Sequence, residues 1–278
     1  MKKEEIVKYL KAGKISGLFK KADAARKLYC GDKIFIRGII EFSNFCVRDC
    51  LYCGLRKSNK KLKRYRMKIP EIRALSFRII EKGIKTIVLQ SGDDFFYTKD
   101  TLCKLISGIK KRCPDIAVTL SLGERPLDDY KAFKAAGADR YLLKHETANS
   151  SLYSKLHPRQ ELKTRLKILK HLRKLGYQVG AGNIVGLPFQ SPEDLADDIL
   201  FMRNLDVDMA GIGPFIPQKD TPLRGYPSGS LDLTLKVLAL TRIAVKDTHL
   251  PATTALAALN PGAGQLLGFQ AGANVIMP

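Results

Sequence analysis

The chain has 278 residues, 45% of them hydrophobic and 27% charged, enough apolar material for one substantial core and too much for a disordered chain. No apolar stretch approaches the roughly 18 residues of a membrane helix, and Met1 to Lys8 lacks the apolar centre of a secretory signal. With 48 Lys and Arg against 27 Asp and Glu, the expectation is a basic cytoplasmic protein with no membrane partner, whose six cysteines stay reduced.

Residues 1–32 read as an N-terminal basic helical segment. From residue 33 to 278, short β-branched runs alternate with longer amphipathic stretches, as βα units around a parallel sheet do. Eight such runs occur in order: Ile34 to Ile40, Thr86 to Leu89, Ala117 to Leu120, Arg140 to Leu143, Gln178 to Ala181, Met209 to Ile212, Ala252 to Ala255 and Ala273 to Met277. The helical stretches between them carry apolar stripes such as Leu162, Leu166, Leu169, Leu172 and Leu175. Gly83, Gly137 and Gly176 follow three of these stretches and suit left-handed helix ends. Eight parallel strands predict an α/β fold of the TIM-type (β/α)8 barrel class, with a doubly wound open sheet second. The sequence stops at Pro278, directly after the eighth run, so the C-terminal helix that would cover that strand is expected to be missing. In a barrel the chemistry sits at the carboxyl ends of the strands.

The charge is uneven. Residues 1–70 hold 20 Lys and Arg against 6 Asp and Glu, a net +14, and Arg56 to Lys68 reads RKSNKKLKRYRMK. Such a run could grip phosphates, but basic runs are more often a solvated face, and only Tyr65 is interleaved for stacking. An RNA-binding or RNA-modifying protein is therefore kept as an alternative of another class, below the enzyme readings.

Cys30, Cys103 and Cys113 stand alone and read as structural thiols. Cys46, Cys50 and Cys53 form a C-x3-C-x2-C triplet on the loop after the first run. Three thiolates make a three-point cradle, and a 4Fe–4S cubane held by three protein ligands keeps one iron open. A structural zinc site would want a fourth ligand, and none follows nearby.

This triplet, with Tyr52 before the last Cys, resembles the signature of the radical S-adenosylmethionine (SAM) superfamily. Further blocks are Phe42 to Asn44, Tyr52 to Arg56, Gln90 to Gly92, Ser121 to Arg125, Arg140 to Thr147, Gly180 to Gly182, Val185 to Pro188, Gly211 to Pro217, Asp220 to Leu223 and Leu250 to Thr254. Together they are similar to the HydE group of FeFe-hydrogenase maturases; biotin synthases and methylornithine synthases share the earlier ones. The resemblance implies a radical SAM barrel in which SAM chelates the open iron of a 4Fe–4S cluster and is cleaved reductively to a 5′-deoxyadenosyl radical. It implies Gln90, Ser91 and Gly92 as the cradle of the SAM amino group, Glu146 for the ribose hydroxyls and Arg165 for the carboxylate. Tyr52, Ile184, Met209 and Ile216 are the candidate shelf for adenine, and Arg140, Thr253 and Thr254 face the substrate cavity. Lys144 stands where an arginine is frequent in the group, a point charge in place of a fork. The implied substrate is sulfur-bearing, an organometallic iron complex carrying cysteine, and the implied partners are other hydrogenase maturation proteins and a reduced ferredoxin or flavodoxin-type electron donor. A methylornithine synthase-like lysine mutase is the alternative within the class. A lysine substrate should meet acidic residues, whereas Arg140, Lys144 and the two threonines make a cationic, hydroxylated pocket.

Overall fold

The computed structural model describes residues 1–13 and 17–277; residues 14–16 of the N-terminal segment and Pro278, the last residue of the expected barrel, lie outside them. Two helices come first, α1 (Lys3–Lys11) and α2 (Leu18–Cys30). The barrel follows as β1 (Phe35–Ile36), β2 (Gly38–Ser43), α3 (Ile69–Glu81), β3 (Thr86–Ser91), α4 (Lys99–Arg112), β4 (Ala117–Ser121), α5 (Leu127–Ala135) and β5 (Arg140–Leu142). It continues through α6 (Ser150–Leu156), α7 (Leu162–Lys174), β6 (Gln178–Ala181), β7 (Ile184–Val185), α8 (Pro192–Leu205), β8 (Met209–Ala210) and β9 (Gly213–Pro214). The last elements are α9 (Leu231–Ala244), α10 (Thr254–Leu259), α11 (Gly264–Gln270) and β10 (Val275–Ile276).

All strand pairings are parallel, in the order β2-β3-β4-β5-β6-β8. Single bridges, Met209 to His249 and Pro251 to Val275, carry the ring past β8, and β10 pairs with β1, which only Arg37 separates from β2. Eight parallel positions thus close on themselves, giving the α/β barrel the alternation predicts. Along each strand the period of two divides the side chains. Ile87, Leu89, Val118, Leu120, Tyr141 and Val179 point outward into one core with Ile72, Leu105, Ile109, Phe133, Leu169 and Leu172 of the helices. The alternate positions, among them Thr86, Gln90, Thr119, Arg140 and Gln178, face the barrel axis.

The seventh strand is a correction. Its predicted run, Ala252 to Ala255, is the turn into α10, and the strand position is filled upstream around His249 and Pro251. Pro251 has no N–H for a ladder, and the run TALAAL, rich in the best helix formers, takes up a helix with Thr253 at its N-cap. The helix ends are as the glycines predict: Gly83, Gly137 and Gly176 follow α3, α5 and α7 with φ of +78°, +107° and +76°.

The N-terminal helices lie on the barrel. Ile6 and Leu10 of α1 and Leu18 and Ala22 of α2 belong to the main core, while Lys3 and Lys11 reach Asp197 and Glu193 of α8, each at 2.6 Å. No described helix is long and apolar enough to cross a membrane.

Candidate functional site

The loop after β2 crosses the carboxyl end of the barrel and is pinned by its own backbone. Val47 N donates to Asp93 O, Leu51 N to Leu156 O and Lys57 N to Arg48 O. Its three thiols are half-buried and in no disulfide. Burial, with the neighbouring thiols acting in the same direction, pushes the Cys50 thiol up to about 12 and Cys53 to about 11; burial raises Cys46 as well. Three half-buried thiols whose ionisation is opposed by burial and by one another become thiolates together only against a strong cationic centre, the donor chemistry of an iron–sulfur cluster. Among the described residues no three His, Cys, Asp or Glu side chains gather around a single-ion position. A cubane asks for none, because each thiolate binds a different iron. Gly92, at the end of β3, presses against this loop: a Cβ there would run into the Phe45 carbonyl and come 2.7 Å from Cys46 Cβ. Only glycine allows that approach.

A chain of charges, half-buried at Arg48 and buried beyond it, leads from the loop to Arg165. Arg48, between the first two cysteines, places Nε 2.7 Å from Asp93 and Nη2 3.0 Å from Glu124. The other oxygen of Glu124 accepts from Arg165 Nε at 2.8 Å, and Arg165 Nη1 donates to Lys144 O at 2.9 Å. Arg165 is only 7% exposed, unlike an ordinary helix-surface arginine. Burial alone would lower its pKa, but Tyr153 and Glu124 outweigh that and raise it, so it stays charged. Among the described residues its Nη2 donates to no protein atom, leaving part of the fork for a carboxylate.

Glu146 is held at φ +66°, its N donating to Gly182 O and its O accepting from Ile184 N. Lys144 Nζ stands 3.2 Å from Oε2, a charge contact outside hydrogen-bonding geometry that leaves this buried oxygen without a hydrogen-bond partner. Such an acceptor suits hydroxyl donors. Tyr52 and Ile184 both pack against a small apolar cluster of Leu152, Leu156, Leu187, Phe215 and Leu223, and half-buried Ile216 follows Phe215. The Tyr52 hydroxyl meets His157 Nε2 at 2.8 Å; burial, then the Glu146 charge, keeps the phenol protonated. Gln90 donates to Glu41 at 3.0 Å and Ser91 to Gly92 O at 2.7 Å.

Two expectations change in depth. Arg140 faces the barrel axis but lies at its floor, donating to Gln178 and Thr86 at the amino ends of β6 and β3. It lines a cavity there with Arg37, Thr119, Met209 and His249, which Thr253 and Thr254 do not line. Met209 is not on the shelf with Tyr52 and Ile184, because as the first residue of β8 it points to the floor, where its sulfur accepts from Arg37 at 2.6 Å. Thr253 Oγ1 is buried without a partner, beside Gly213, and Thr254 begins α10, exposed. Sequence reasoning missed Arg48, Asp93, Glu124, His157 and Gln160. Arg48 lies within the cysteine triplet and Glu124 within the Ser121 to Arg125 block, so their positions carried a signal; His157 and Gln160, reached only through the fold, carried none.

A family model described as the radical SAM superfamily matches residues 40–202, and the chain belongs to that superfamily of enzymes, which use a 4Fe–4S cluster and SAM. A solved structure of methylornithine synthase (PylB) superposes with a TM-score of 0.90 at 25% identity, over 99% of this chain and 82% of that one. Within the superfamily the chain belongs to the HydE family: it is 53% identical over 261 residues to the FeFe hydrogenase maturase subunit HydE of Thermotoga maritima, covering 94% of this chain and 74% of that one. The 3-methylornithine synthase of Methanosarcina barkeri is 28% identical over 270 residues, 94% of this chain and 74% of that one.

Proposed function

We propose that the protein matures an FeFe hydrogenase, with Cys46, Cys50 and Cys53 as the three protein ligands of its cluster. Maturation rests on the 53% identity to the maturase of Thermotoga maritima, and the site reading on the run of contacts from Arg48, inside the cysteine loop, through Glu124 to Arg165, which ties the cluster loop to a free guanidinium edge. When bound, the cluster and SAM supply a one-electron cleavage of SAM to methionine and a 5′-deoxyadenosyl radical.

The chain's own residues bind and orient. Arg165 takes the SAM carboxylate with the donors that Glu124 and Lys144 leave free. Gln90, Ser91 and Gly92 form the edge that meets the amino group, and Gly92 keeps that edge against the cysteine loop. Glu146 offers its unpartnered oxygen to the ribose hydroxyls, and Tyr52, Ile184 and Ile216 give the adenine an apolar shelf away from water. Thr253 offers a buried hydroxyl toward the substrate. At the floor, burial and then Arg140 pull Arg37 down to about 10. Two arginines there, with no carboxylate within 4 Å of either guanidinium among the described residues, make the inner end of the barrel unfavourable for the cationic side chain of lysine; the sulfur-bearing iron complex carrying cysteine is the substrate that the resemblance to HydE implies. The partners in this reading are the other hydrogenase maturation proteins and a reduced electron donor.

Anaerobic reconstitution should yield about four irons per chain, and Cys50→Ala should abolish them. The wild-type protein, supplied with SAM and the companion maturation components, should activate apo-hydrogenase. Unchanged iron in the variant, or conversion of lysine in place of hydrogenase activation, would defeat the reading.

A further inference from the structure

The basic run from Arg56 to Lys68 is divided between two tasks. Its arginines are engaged by contacts within the chain. Arg56 Nε donates to Asp49 at 2.9 Å; Arg64 donates to the carbonyls of Asn44, Leu55 and Arg56; Arg66 grips Asp94 at 2.8 and 2.9 Å. Asn59 Nδ2 donates to Gly54 O and Asn44 Nδ2 to Lys63 O, so the segment is fastened to the cysteine loop without being a helix or strand. Its lysines are not consumed. Lys57, Lys60, Lys61 and Lys63 are all exposed. Among the described residues no carboxylate lies within 4 Å of Lys57, Lys60 or Lys63, and Lys61 has only a 3.7 Å contact with Asp220. Lys57 N is bonded directly to Arg48 O, between two cysteines. Three large apolar side chains along the same stretch are also open to solvent: Val47, next to the Arg48 that Lys57 meets, Tyr65 within the run, and Phe96 under the Arg66 guanidinium, 49%, 43% and 63% exposed.

We infer that this strip is the docking surface for an acidic one-electron carrier protein, which reduces the cluster there. The inference rests on the proposed cluster ligands and names the partner of that site. Arginines that fix the segment and lysines that it holds outward make a preorganised charge pattern, which speeds encounter with an opposite charge at little ordering cost. A small, polar contact is the usual form of a transient redox interface. On docking, one electron passes from the reduced carrier, which is oxidised, to the cluster, which falls from the +2 to the +1 state; no bond or proton need move. A nucleic acid would find the same charge but little to stack on, since Tyr65 is the only aromatic residue of the run.

The test compares two charge reversals of equal size on the reconstituted full chain: Lys57→Glu, Lys60→Glu, Lys61→Glu and Lys63→Glu together, and on the outer face of α7 Lys163→Glu, Lys167→Glu, Lys170→Glu and Lys174→Glu together. An acidic bacterial two-cluster ferredoxin, reduced beforehand, is the donor, and cluster bleaching and the electron paramagnetic resonance signal are followed. The first set should slow reduction by ferredoxin at least tenfold at low salt and remove most of its salt dependence. The α7 set should stay near wild type, and dithionite should reduce all three proteins at one rate. Equal slowing by both sets, or by neither, would overturn the inference, as would tRNA binding that the first set abolishes while ferredoxin reduction is unchanged. A wild-type protein that dithionite cannot reduce would instead remove the cluster reading beneath it.

Discussion

Replacing Arg165 by alanine should weaken SAM binding about 10- to 150-fold, and the structure gives the reason for that range. The guanidinium spends Nε on Glu124 and one Nη1 donor on Lys144 O, leaving the Nη2 donors for a carboxylate. Hydrogen bonds to a charged group contribute about 1.5 to 3 kcal/mol, and every 1.4 kcal/mol is tenfold in affinity. Alanine also leaves Glu124 with less compensation. Breaking a buried pair costs about 3 to 5 kcal/mol when the remaining charge is isolated, but Arg48 stays 3.0 Å from the other oxygen, so the loss should be smaller than that. Arg165→Lys separates the two effects, since it returns a charge near Glu124 but not a planar fork. Anaerobic titration calorimetry of SAM onto reconstituted protein, with a thermal melt of each variant, reads both. If the folded alanine and lysine variants bind SAM within twofold of wild type, Arg165 does not meet the carboxylate.

Gln160 Nε2 lies 3.7 Å from Cys50 Sγ, and Gln160→Leu should make the cluster harder to reduce. Losing a hydrogen bond of about 1 kcal/mol corresponds to a fall of ~40 mV for a one-electron couple; a potentiometric titration showing no shift or a rise would contradict this. His249 is held near pH 4 by burial and by Arg37, Arg140 and Arg242. Its folded pKa lies below its unfolded value, so the unfolded chain takes up the proton first and stability is lost as pH falls from 6.5 to 4. Relative to His249→Gln, the wild type should lose about 2 to 3 kcal/mol across that window, and urea midpoints that shift in parallel would refute it.

The barrel was legible because its signals are local: β-branched runs, stripes at helical spacing and glycines after three helices. The cysteine loop was legible for the same reason, as spacing within eight residues suffices to gather three sulfurs. Depth along the barrel was not. Inward residues at the two ends of a strand share one alternation pattern, so Arg140 and Met209 read as partners of the carboxyl face while they occupy the floor. The seventh strand was displaced because its short apolar pattern also fits the helix that follows. Glu124 joins residues 76 and 41 positions away, and no periodicity marks such a pair.

The carboxylate of Glu124 is shared by an arginine of the metal loop and the arginine proposed for the cosubstrate, so the two loading events meet at one side chain. Whatever factor an occupied metal loop adds to the affinity for the nucleoside cosubstrate, the cosubstrate must return to the metal. Where that factor is favourable, protein saturated with SAM should keep its iron, at equilibrium, to a higher chelator concentration than protein without it.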